Sequence, residues 1–168
     1  MNTPARNAAS SGRRGRRSAA RLAAVQALYQ IDLTGADSKT VIDEFRDHRL
    51  NATGEQPDAA YFSEIVAGVE ARRTEIDAML ASLLAEGWTL QRLETVLRAV
   101  LRAGAFELIA RGDVPARVII DEYVQVAHAF FSGKEPAVVN GVLDRLARRV
   151  RPDEFEGQPR AAEDVPGR

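Results

Sequence analysis

The chain has 168 residues, 45% hydrophobic and 28% charged, a composition that fits one globular domain or two small subdomains sharing a core. No apolar run approaches the roughly 20 residues that span a bilayer, and zero cysteines exclude a disulfide framework, a thiolate metal site and a cysteine nucleophile while fitting a reducing, cytoplasmic setting. The net charge of −1 conceals an asymmetry: six of the 23 basic residues (Arg6, Arg13, Arg14, Arg16, Arg17, Arg21) precede the first acid, Asp32, leaving 17 against all 24 acids, a net of −7.

Residues 1–12 are low in complexity, and with the arginines that follow they predict a disordered basic arm over 1–15. From Ser18 a helical period begins on Leu22, Val25, Leu28 and Tyr29, ending at Leu33-Thr34-Gly35. Ser38 is placed to cap a second helix, with Val41, Ile42 and Phe45 inward. After a loop over Asn51–Pro57, Asp58 caps a third helix carrying Tyr61, Phe62, Ile65, Val66 and Val69. Thr74 is the expected cap of a fourth, on Ile76, Met79, Leu80, Leu83 and Leu84 with Asp77 at N3; the pattern fits two helices here or one bent helix.

Gly87-Trp88-Thr89 punctuates, and the most regular helix follows on Leu93, Val96, Leu97, Val100, Leu101 and Leu108, stopping near Arg111-Gly112. Asp113 and Pro115 open a sixth, with Ile119, Ile120, Tyr123, Val124, Ala127, Phe130 and Phe131 inward. Ser132–Pro136 turns the chain into a last helix over about Ala137–Val150. The proline-, glycine- and acid-rich tail over 152–168 predicts disorder. Seven helical segments without an alternating strand give an all-α bundle.

A basic arm on an acidic body is the pattern of a nucleic-acid-binding tail. The same composition also describes a solubilising tail or a mitochondrial transit peptide. Enzyme templates fail: there is no phosphate-cradling glycine loop, no His-Glu-x-x-His and no supported Ser-His-Asp set. His48 and His128 stand singly in helical patterns, and Asp121-Glu122 suit the first turns of a helix, where negative charge is favoured. The expectation is a binding protein with no catalytic residue, no metal and no cofactor.

If the first helix extends back through the arm, Arg14, Arg17 and Arg21 share a stripe with Val25 and Leu28, which enter the core. Several arginines cannot be buried there without partners, so the arginine end is expected to project or to stay unwound. Arg13, Arg14, Arg16, Arg17 and Arg21 are then available for bidentate contacts with phosphates. Single-stranded RNA is the expected ligand, because the major groove of duplex RNA is deep and narrow. Gln26, Tyr29 and Gln30 are candidates for base or partner contact. Asn140-Gly141 lies inside a strong apolar period; the small Gly141 is expected to admit a neighbouring helix closely, or Asn140 to order the Ser132–Pro136 turn.

Four segments carry a family resemblance: Arg16–Gln30, ending Gln-Ala-Leu-Tyr-Gln; Leu97-Arg98-Ala99-Val100-Leu101-Arg102 with Phe106-Glu107-Leu108; Asp113-Val114-Pro115 leading into Val118-Ile119-Ile120-Asp121-Glu122 and ending at Phe130; and Val139-Asn140-Gly141-Val142-Leu143-Asp144. In this order, over about 16–151, they resemble the NusB family of bacterial transcription antitermination factors. The resemblance implies two three-helix subdomains (about 16–86 and 87–151) plus one further helix. It also implies pairing with NusE, a ribosomal small-subunit protein, binding of the boxA element of nascent single-stranded RNA, and indirect action on elongating RNA polymerase, notably in ribosomal RNA operons. Arg17 and Arg21 align best with the family's RNA contacts, Tyr29 with an RNA or partner contact, and the loop before Asn140 with the same surface. Departures are Leu22 where the family often has an acid, Lys134 in a loop that is acidic in the family, which favours phosphate, and Val138 in place of an aromatic. Two alternatives keep the fold: a NusB-like domain of an RNA methyltransferase, and a helical adaptor that binds protein alone.

Overall fold

The computed structural model describes residues 4–50 and 56–157. Seven α-helices and no strand occur among them: α1 (Pro4–Thr34), α2 (Ser38–Glu44), α3 (Ala59–Ala71), α4 (Arg73–Leu83), α5 (Thr95–Ala110), α6 (Ala116–Phe130) and α7 (Glu135–Val150). The all-α expectation holds. Two compact units, residues 1–67 and 68–168, divide within α3.

In the first unit, the backbone of α1 begins at Pro4, within the stretch read from composition as an unstructured arm. Alanine and arginine are both good helix formers, and low complexity does not oppose them. The helix ends where Gly35 adopts φ +67°, and its amide donates to the Ile31 carbonyl at 2.9 Å, a left-handed C-terminal cap. The cap of α2 is Asp37 rather than Ser38: its carboxylate accepts from the Thr40 amide at 3.3 Å. One residue decides between two good capping side chains, and the carboxylate also complements the helix dipole. A π-turn over Phe45–Arg49, closed by the Leu50 amide on the Phe45 carbonyl, keeps Phe45 and Leu50 buried. Phe45 stacks on Phe62 with centroids 5.5 Å apart. Asp58 caps α3 as expected, accepting from the Tyr61 amide at 3.0 Å.

In the second unit, α3 and α4 are separate helices. The break is at Arg72 (φ −110°, ψ 17°), so Arg72 and not Thr74 precedes α4. Neither glycine nor proline marks it, which is why the sequence left the point open. Asp77 serves no cap; it pairs with Arg102 of α5. Helix α5 is buried at Leu97 and at every position from Ala99 to Leu108, and α6 and α7 pack against it. A methyl group at Gly104 would lie 2.6 Å from Leu143 Cδ1, so α5 and α7 approach at that glycine.

The segment after α7, expected to be disordered from 152, forms a 3-10 turn over Pro152–Phe155 with Phe155 buried. It closes two helix ends. The Arg151 guanidinium donates to the carbonyls of Glu107, Leu108, Arg111 and Val114 at 3.1, 2.9, 2.7 and 2.5 Å, satisfying the C-terminal end of α5. The Glu154 carboxylate accepts from the Ala116 amide at 3.1 Å at the start of α6. Composition cannot show this, because the four acceptors are backbone groups about 40 residues away. The rest of the tail expectation, 158–168, and most of the loop at 51–55 lie outside the described residues.

Candidate nucleic-acid interface

The arginines of α1 fall into two sets. Arg13, Arg14 and Arg16 are exposed. Their backbone is anchored: Ser18 Oγ donates to the Arg14 carbonyl at 3.0 Å, and the Asp58 amide donates to the Arg16 carbonyl at 3.0 Å. Arg17 is half-buried, its guanidinium 4.7 Å from the Tyr61 ring centroid. Arg21 is 2% exposed, 5.1 Å from the same centroid, and its Nη2 donates to Tyr61 Oη at 3.0 Å.

The expectation that the whole arginine end projects is therefore corrected at Arg21. A buried cation needs partners, and one tyrosine supplies both an acceptor oxygen and an electron-rich face. The periodicity of α3 reveals Tyr61 only as an apolar position. A tyrosine two residues before Ser63 on a separate helix gives no signal that it will meet a residue 40 positions earlier.

The outward face of α1 carries Leu22, Gln26, Tyr29 and Leu33 at i, i+4, i+7 and i+11. Gln26 is exposed, Tyr29 is 37% exposed and Leu33 is 59% exposed. Tyr29 thus lies at the surface, whereas the apolar period had aligned it with Leu28. The buried face is built largely by alanines (Ala20, Ala23, Ala24, Ala27) that a count of large apolar residues overlooks. Gln30 is engaged locally: its Nε2 donates to Glu44 Oε2 at 3.4 Å, and its Oε1 accepts from Arg49 at 3.2 Å.

In the second unit, Lys134 is exposed at the start of α7, Asn140 is half-buried and Gly141 is buried. Gly141 does not admit a neighbouring helix. A methyl group there would meet only Arg145 of its own helix, 3.4 Å away at Nη1. It helps to line a cleft of about 430 Å³ with Trp88, Leu97, Lys134, Val138 and Arg145. The Arg145 Nη2 donates to the Leu83 carbonyl at 3.1 Å, and Trp88 is 43% exposed. Sequence reasoning took Trp88 only as punctuation. The final motif acid, Asp144, is buried against Arg148 at 2.9 Å and Arg117 at 3.5 Å.

His48 and His128 are both exposed. Among the described residues no group of three or more His, Asp or Glu could hold a metal ion, and no helix is long and apolar enough to cross a membrane.

The model of the NusB family matches residues 18–148 of this chain. The chain is 50% identical to the transcription antitermination protein NusB of Maricaulis maris over 160 residues, 92% of this chain and 100% of that protein. Among solved structures, T. maritima NusB superposes with a TM-score of 0.71 at 30% identity, covering 83% of this chain and 96% of the other. A chain from a crystal structure of antitermination factors NusB and NusE in complex with dsRNA superposes with a TM-score of 0.67 at 27% identity, covering 79% and 96%.

Proposed function

Because this chain belongs to the NusB family, we propose that it is a cytoplasmic, RNA-binding transcription antitermination factor rather than an enzyme. It grips phosphates through Arg13, Arg14, Arg16 and Arg17 of α1. The observation that carries the reading is the exposed arginine run itself: no acid stands before Asp32, and the backbone beneath the run is held by Asp58 and Ser18. Arg21 supports the run from below Tyr61. Lys134 and Asn140 of the second unit are further RNA or partner contacts, as are Gln26 and Tyr29.

The partner is a NusE-type ribosomal small-subunit protein, and the RNA is a boxA-like element whose capture helps RNA polymerase read through terminators, notably in ribosomal RNA operons. The solved NusB–NusE complex, with its dsRNA, supports both ligand classes. Phosphate contacts are available on either form of RNA, whereas base reading requires an unpaired strand. Titrating boxA RNA at several salt concentrations tests this. Four arginine–phosphate contacts give a slope of log K on log salt of about −3, from about −0.7 per contact on single strands. Adding the NusE-type protein tightens binding to boxA over a scrambled control. A flat salt dependence would sink the RNA reading, and no gain from the partner would remove the antitermination role.

A further inference from the structure

We propose that Tyr61 is a positioning residue for RNA binding: it pre-orders Arg17 so that the guanidinium is presented to a phosphate already fixed in place. The inference rests on the RNA-binding reading of α1 and adds a residue from α3 that carries no charge. Three features of the structure support it.

The Arg17 guanidinium lies 4.7 Å from the Tyr61 ring centroid, and its Nε is shielded from solvent without a hydrogen-bond partner. A side chain packed by one face on a ring, with its inner nitrogen turned away from solvent, keeps its orientation while its outer edge carries the donors that fit a phosphate. Tyr61 is itself fixed. It is 4% exposed, its hydroxyl accepts from Arg21 at 3.0 Å, and its amide donates to Asp58. Finally, the Asp58 amide bonds to the Arg16 carbonyl, so the start of α3 is tied to the turn of α1 from which Arg17 projects.

The physical consequence is a division of labour. Free arginine side chains lose substantial rotamer freedom when they are immobilised on a ligand. Arg13, Arg14 and Arg16 meet that cost on binding. Arg17 has met most of it on folding, so its contact contributes more to affinity than theirs. Arg21 is the under-layer that holds the phenol by its hydroxyl.

The test uses the full chain with its NusE-type partner and a single-stranded boxA RNA. Arg17→Ala and Tyr61→Met are each expected to weaken binding about tenfold, between the sizes of an exposed and a desolvated cation–π contact, as suits the half-buried Arg17. The double variant is expected to be no weaker than either alone, because both remove the same pre-ordered contact. Tyr61→Phe keeps the ring that faces Arg17 but takes the acceptor from Arg21, and is expected to bind more weakly than the parent and more tightly than Tyr61→Met. Wild-type affinity in Tyr61→Met, additive losses in the double variant, or a Tyr61→Phe as weak as Tyr61→Met would each overturn the proposal.

A measurement on the unaltered protein covers the case in which Tyr61→Met does not fold. The Arg17 Nε–H is expected to exchange with water more slowly than those of Arg13 and Arg14 and to be shifted by the ring current. An Arg17 signal as fast and as unshifted as theirs would overturn the assignment. The two readings separate cleanly. If Arg13, Arg14 and Arg16 are changed together to Ala and affinity does not fall, the RNA arm itself fails. If that triple variant weakens binding and Tyr61→Met does not, only the role of Tyr61 fails.

Discussion

Arg102 of α5 and Asp77 of α4 meet edge to edge: Nε and Nη2 of the guanidinium donate to the two separate carboxylate oxygens at 2.8 and 3.0 Å. Two parallel bonds make the pair directional. Because the Arg102 side chain is only 9% exposed, removing Asp77 takes two charge-assisted bonds from a nearly buried cation. Asp77→Ala is expected to destabilise the chain by about 2–3 kcal/mol, below the range for fully buried pairs because Asp77 keeps contact with water. Arg102→Lys keeps the charge, loses the fork and is expected to cost about 1–2 kcal/mol. Urea midpoints with an unchanged m-value would show both; parent-like midpoints would mean that the pair contributes nothing.

Arg21 and Arg14 lie seven residues apart in the same arginine run and are expected to fail differently. Arg21→Met fills most of the same buried volume, so stability stays within about 1–2 kcal/mol and the salt slope for RNA is unchanged. Arg14→Ala, at an exposed site, leaves stability within about 0.5 kcal/mol but makes the slope shallower by about 0.7. Thermal melting beside a salt-dependent titration separates the two. A shallower slope in Arg21→Met would show that Arg21 reaches phosphate after all.

Three glycines give a graded series. Gly68→Ala puts a methyl 2.2 Å from the Phe106 ring and Gly104→Ala puts one 2.6 Å from Leu143, so both overpack the second unit. Each is expected to cost about 1–3 kcal/mol, with Gly68 the larger because a ring yields less than a leucine methyl. Gly141→Ala meets only the end of Arg145 at 3.4 Å and replaces a poor helix former, so a gain of about 0.5–1 kcal/mol is expected. Loss of stability in Gly141→Ala would show that Arg145 cannot shift.

Arg151→Ala leaves the carbonyls of Glu107, Leu108, Arg111 and Val114 without their shared donor. The expected cost is about 2–4 kcal/mol: the Glu107 and Arg111 carbonyls still accept from the Arg111 and Val114 amides, while those of Leu108 and Val114 lose a partly buried donor. Amide exchange would report it as early opening at the last turn of α5. A uniform loss across the chain would place the damage elsewhere.

The helices were legible because apolar residues recur at helical steps in every one, and Asp58 and Gly35 act at the ends where sequence puts them. What the sequence hid were meetings between distant positions. Tyr61 reads as one more apolar residue of α3, yet it decides which arginines of α1 face solvent. The Asn140-Gly141 pair looked like a place for close helix approach, and that approach occurs at Gly104, an unremarked glycine among the small residues of α5. Alanine-built surfaces are similarly silent, which is why Tyr29 was aligned with the inner face. The exposed arginines were readable from charge alone; which of them project was not.

The closure of α5 and α6 by Arg151 and Glu154 also sets an order of events during synthesis. A chain is made from its N-terminus, so the residues of α5, α6 and most of α7 are joined before the guanidinium that completes α5 exists. Until then, the carbonyls of Leu108 and Val114 and the first amide of α6 lack the side-chain partners that they have in the fold. The second unit therefore reaches its final hydrogen-bonding pattern only once Arg151 and Glu154 are present, and a chain cut short before them would carry the α5 and α6 segments with their facing ends not yet locked.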